Sequence, residues 1–134
     1  MVRTALEFVP LEYIYVVVGS RQEDVREHLG AGFRYVVQEA PRGTGKAVLQ
    51  AAEPLQDFTG NLLILYGDTP LFRPASIRGL LNRHAPKKAH LTLLTAVLDR
   101  RLPYGRIIRG SGGQIMDIIE DTEGLAGNAR NSRI

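Results

Sequence analysis

The chain has 134 residues, 44% of them hydrophobic and 23% charged, enough for one domain with its own core and unlike disordered, collagen-like or mucin-like compositions. Cysteine is absent, which excludes disulfide frameworks, thiolate zinc sites and cysteine nucleophiles and makes a cytoplasmic location the expectation. The balance of 17 Lys and Arg against 14 Asp and Glu is mild, with basic residues scattered and no reader motif beside them, so neither nucleic acid nor a membrane is an expected partner.

In chain order, Tyr13 to Val18 (YIYVVV) reads as a buried strand ending at Gly19-Ser20. Ser20 with Glu23 forms a capping-box pattern, and Gly30 stands where a left-handed cap belongs, predicting a helix from about Arg21 to Leu29. Phe33 to Gln38 reads as a second strand, Glu39 to Thr44 as a loop, and Gly45 to about Gln56 as a helix. Asn61 to Tyr66 (NLLILY) is continuously apolar, which predicts a strand covered on both faces, and Gly67-Asp68 follows it. Pro74 suits the first position of a further helix bearing Ile77, Leu80, Leu81 and His84 on one side.

Alternating strands and helices predict an α/β fold in the first half, an open, mostly parallel Rossmann-like sheet with flanking helices. His90 to Leu98 then reads as a strand, and Arg106 to Arg109 with Gln114 to Ile119 as a hairpin joined through 110–113. Periodicity fades after Glu120, so a single domain over residues 1–123 with a loop or tail at 124–134 is expected.

Asp68 is the most informative single residue. A carboxylate at the carboxyl end of a buried parallel strand lies where open α/β folds hold their ligands, and it suits Mg²⁺ shared with substrate phosphates. On spacing alone, an ordinary turn aspartate before Pro70 is the other reading. Gly43-Thr44-Gly45 precedes a helix and lets backbone approach a ligand, a weak signal alone. Ala40 and Ala47 break the Walker pattern and Val48 breaks the dinucleotide fingerprint, which removes ATPase and NAD-enzyme readings. Lys46 reads as solvent-exposed, His28, His84 and His90 as structural or exposed, and Glu120-Asp121 with Glu123 as a solvated turn.

Five motifs stand in order: Gln38 at a strand end, Gly43 to Ala51 (GTGKAVLQA), Leu65 to Leu71 (LYGDTPL), Tyr104 to Ile107 (YGRI), and Ile118-Ile119-Glu120. Together they resemble the pyrophosphorylase domain of bacterial N-acetylglucosamine-1-phosphate uridylyltransferases, over nearly everything from Tyr13 to Glu123. The resemblance implies the nucleotide-diphospho-sugar transferase fold and transfer of UMP from UTP to N-acetylglucosamine 1-phosphate, releasing pyrophosphate. It makes Gln38 a reader of the uracil edge, puts Gly43 and Thr44 beside the base, and sets Tyr66 and Gly67 against the nucleotide. Asp68 corresponds to the Mg²⁺ ligand, and Gly105 and Glu120 to contacts with the amino-sugar.

The departures carry expectations too. Nothing before Tyr13 resembles the family's opening strand and glycine-rich triphosphate loop, its later Glu-x-Asn-Thr-Gly motif and metal-site asparagine are absent, and Lys46 replaces the usual histidine. Weak or absent turnover of this chain alone is therefore expected, since even one lost charge-stabilising donor costs two to three orders of magnitude in rate. In the family the missing strand is central, which predicts a gap of roughly 9–10 Å between the strands at 13–18 and 61–66. Either those strands pair directly, or the N-terminal segment or a partner chain fills the slot; a homo-oligomer or a strand-supplying partner is the corresponding partner expectation. Two further readings stay open: a non-catalytic nucleotide-sugar-binding or interaction module, and a transferase for another base or sugar, molybdopterin donors included.

Overall fold

A computed structural model describes residues 1–40, 43–69, 71–99 and 104–119. The chain divides into two compact units, Met1–Leu91 and Thr92–Ile134.

In the first unit, helix α1 (Val2–Ala5) and a 3₁₀ turn (Leu11–Tyr13) lead into strand β1 (Tyr15–Val18), helix α2 (Gln22–Leu29) and strand β2 (Arg34–Val37). β1 and β2 are parallel and in register from Tyr15 opposite Arg34 to Val18 opposite Val37. The ladder runs one bond further at each end, where Arg34 N donates to Ile14 O (3.1 Å) and Gln38 N to Val18 O (2.8 Å). β-branched side chains on both strands favour this pleated geometry, and the crossover through α2 is the connection that parallel neighbours require.

Side chains fix α2 to the strands. The Tyr35 hydroxyl donates to Gly30 O (2.6 Å) while the Arg26 guanidinium lies 4.4 Å from the Tyr35 ring centroid. Across the ladder, Arg34 Nη1 donates to the Tyr15 hydroxyl (2.7 Å). Gly30, at φ 87°, ends α2 as expected, its N–H bonded to Arg26 O. The Ser20 capping box does not form. Arg21 is the N-cap, so the third helical position falls on Asp24, whose carboxylate turns back to the Arg21 guanidinium (2.7 Å).

Helix α3 (Thr44–Leu49) is shorter than the expected helix to Gln56. From Gln50 the backbone bonds tighten, Gln50 N to Ala47 O and Ala51 N to Val48 O, before a 3₁₀ turn at Glu53–Leu55. Pro54 supplies no N–H and its ring conflicts with the carbonyl four residues earlier, so an α-helix cannot run through it. Helix α4 (Pro74–His84) begins with proline at its first position, as read from the sequence, and passes into a 3₁₀ turn at Ala85–Lys87. Ile77 on α4 is 1% exposed and, with Ile14, Val18 and Ala51, makes up the buried apolar positions among the described residues.

The strand expected at Asn61 to Tyr66 is absent: these residues belong to neither sheet, and they are not covered on both faces. Leu62, Ile64 and Tyr66 are about half exposed and alternate with partly covered Leu63 and Leu65. Direct pairing of this segment with β1 is therefore not seen among the described residues. The strand expected at His90 to Leu98 is likewise outside both sheets. Apolar sequence supplies the faces of a strand, but its N–H and C=O groups need a neighbour at ladder distance.

In the second unit, β3 (Arg106–Arg109) and β4 (Ile115–Ile119) form the expected antiparallel hairpin, with Gln114 in the connection and a bulge where Met116 lies between paired Ile115 and Asp117. Gly113, at φ 79°, takes the left-handed position of the turn, and its carbonyl accepts from Arg109 Nη1 (2.9 Å). The expected tail at 124–134 lies outside the described residues.

Candidate functional site

Gln38 leaves the ladder immediately after β2, held by its backbone N–H on Val18 O. Its side-chain Nε2 reaches the Gly43 carbonyl in a long contact of 3.5 Å, so the strand end and the loop entering α3 are brought together. Gly43 sits at φ 86°, ψ 168°, a left-handed-side backbone that a residue with a Cβ adopts only under strain, and nothing lies within 4 Å of where that Cβ would stand. Gly19, at the end of β1, adjoins the same strand end: its Cβ would stand 4.0 Å from the Gln38 carbonyl. Two strand ends and one glycine thus leave an open strip of backbone beside the Gln38 amide. Thr44 opens α3 and is exposed.

The segment Tyr66 to Thr69 is a tight turn. Thr69 bonds the Tyr66 carbonyl twice, through its N–H (3.4 Å) and through its hydroxyl (3.2 Å), which sets Gly67 and Asp68 at the tip. Asp68 is exposed and makes no hydrogen bond or ion pair among the described residues, so its oxygens keep their acceptor capacity. Tyr66 is 49% exposed. The hydroxyl of Thr69 is the feature sequence reasoning passed over; a Thr two residues after Gly in an Asp-Thr-Pro context was its signal.

Of the predicted site residues, the structure joins Gln38 to Gly43 directly and puts Tyr66, Gly67 and Asp68 in one turn. Gly105 immediately precedes β3 in the second unit and is exposed. Glu120, with Asp121 and Glu123, lies outside the described residues.

No three His, Cys, Asp or Glu side chains gather into a metal cage among the described residues. A lone exposed carboxylate does not satisfy Mg²⁺, which demands six oxygens in near-octahedral array. A cation at Asp68 would draw its other ligands from phosphate oxygens and water. Among the described residues, no helix is long and apolar enough to cross a membrane.

The family model for the MobA-like NTP transferase domain matches residues 1–127. The bifunctional protein GlmU of Solibacter usitatus is 40% identical over 125 residues, 92% of this chain and 27% of that protein. GlmU of Geobacter metallireducens is 43% identical over 110 residues, 81% of this chain and 23% of its own length, and that of Pediococcus pentosaceus is 38% identical over 131 residues, 98% and 28% respectively. The chain spans about a quarter of the length of these relatives. The expected resemblance is borne out, and the chain belongs to the MobA-like NTP transferase domain family.

Proposed function

We propose that this chain is the base- and sugar-binding part of a nucleotidyltransferase that forms UDP-N-acetylglucosamine from UTP and N-acetylglucosamine 1-phosphate. The contact that carries the proposal is Gln38 Nε2 on the Gly43 carbonyl. It presents an amide edge beside an unobstructed glycine backbone, a surface suited to the flat, hydrogen-bonding edge of a pyrimidine. The parallel β1-α2-β2 unit supports a Rossmann-like sheet as the frame.

In the reaction, an oxygen of the sugar phosphate attacks the α-phosphorus of UTP in line; the new P–O bond forms as the α–β bridge breaks, and pyrophosphate leaves with the electron pair. Such chemistry needs positioning and charge neutralisation more than a covalent catalyst. Gln38 and the Gly43-Thr44 backbone orient the base, Tyr66 and Gly67 border the nucleotide, and Gly105 and Glu120 hold the amino-sugar. Asp68 would hold Mg²⁺, which would supply positive charge to offset the negative charge of the phosphates. Working on soluble sugar phosphates, the protein acts in the cytoplasm.

The test is pyrophosphate release from UTP and N-acetylglucosamine 1-phosphate with Mg²⁺. The 134 residues alone are expected to turn over at least about 100-fold more slowly than a complete relative, because donors to the triphosphate are lacking. Full-rate release by this chain would contradict the division of labour, and a preference for CTP or GTP would contradict the base assignment.

A further inference from the structure

From Thr69 to Leu98 the sequence carries five Lys and Arg and neither Asp nor Glu, so the rest of the chain holds more acids than bases. α4 turns Ile77 inward, and Gly79, Asn82 and Arg83 on its exposed side, with Pro86 and Lys87 of the following 3₁₀ turn, line a shallow depression of about 480 Å³. None of the candidate-site residues borders it. Arg83 lies in the last turn of α4, where a cation complements the negative end of the helix. That accounts for Arg83 but not for Lys87 and Lys88 beyond it. None of the three has an ion-pair partner among the described residues.

One backbone choice beside this depression lowers local helix stability without benefit to the chain's own packing. Gly79 interrupts a helix, yet a Cβ there would meet nothing within 4 Å. Lys88, in a left-handed conformation (φ 47°, ψ 39°), ends the 3₁₀ turn, its N–H on Ala85 O and the Ala89 N–H on His84 O.

The complement is on the same chain. In α2, Arg21 is tied to Asp24 and Arg26 lies over Tyr35, which leaves Glu23 and Glu27 exposed and without an ion-pair partner among the described residues. Four residues apart on one helical face, these two like charges disfavour α2 by mutual repulsion until a cation approaches. Arg83 and Lys87 have the same separation on their shared surface.

We infer that the α4 depression is an interaction surface for a second copy of this chain: Glu23 and Glu27 of one molecule meet Arg83 and Lys87 of the next, over the gap left by Gly79. The two faces differ, so the contact is head-to-tail. Nucleic acid is the poorer occupant, since no Phe, Tyr or Trp lies between Arg73 and Pro103 to stack a base.

Sedimentation velocity over a concentration series tests this. At low salt the 134-residue chain should sediment faster as concentration rises, and at about 0.5 M salt, where surface charges are screened, as a monomer. Lys87→Glu and Glu27→Lys should each weaken association about tenfold or more, and the two together should restore it. Gly79→Leu, which fills the depression, should abolish association while circular dichroism stays unchanged. A wild-type monomer at low salt, single reversals without effect, or a double reversal as weak as the singles would each overturn the inference.

Discussion

Strand β1 and the segment 61–66 are both apolar runs, yet only the first pairs in a sheet. Tyr15 to Val18 has in Arg34 to Val37 a parallel neighbour that takes up its backbone groups. Leu62 to Tyr66 has none among the described residues, and its side chains alternate between half exposed and partly covered. Apolarity selects which residues leave water, but a strand exists only where a second one satisfies it.

Hydrogen exchange would show that contrast most strongly. The amides of Arg34 and Gln38, bonded to Ile14 and Val18 carbonyls, should exchange at least about 100-fold more slowly than those of residues 62–66. Equal protection would show that 61–66 is paired in solution. Next in size, Ile77→Ala should cost about 2–5 kcal/mol in urea unfolding, whereas Leu62→Ala should cost less than about 1 kcal/mol. A large loss at Leu62 would place it in a core. Gly43→Ala should cost about 1–2 kcal/mol, since Gly43 is at φ 86° with open space around it and the cost is backbone strain alone. Tyr15→Phe should have the smallest effect, about 0.5–1.5 kcal/mol, because it removes the hydroxyl that accepts from Arg34 but leaves the ring 5.4 Å from the guanidinium.

Local signals made much of this fold legible. Pro74 marks the start of α4, Gly30 the end of α2, and the glycines at 110–113 the hairpin turn. The misreadings fall where the deciding partner was distant or the register shifted by one. Ser20 and Glu23 have capping-box spacing, but the helix starts after Arg21 and the bond passes to Asp24. Pro54 cuts short a helix whose apolar spacing ran on. At the site, Asp68 was read as a carboxylate ending a buried strand, yet it stands in a turn after a segment outside both sheets, and Gly43-Thr44-Gly45 was weak in isolation. Gln38 drew meaning only from the family resemblance, and its contact with Gly43 is a tertiary fact no spacing encodes.

Titration calorimetry of UDP-N-acetylglucosamine into the wild-type chain and Gln38→Ala tests the proposed base and sugar wall most directly. The account predicts weak, saturable binding by the wild type, lowered about tenfold when the Gln38 amide is removed, the equivalent of about 1.4 kcal/mol. No binding by the wild type, or equal binding by both, would contradict it.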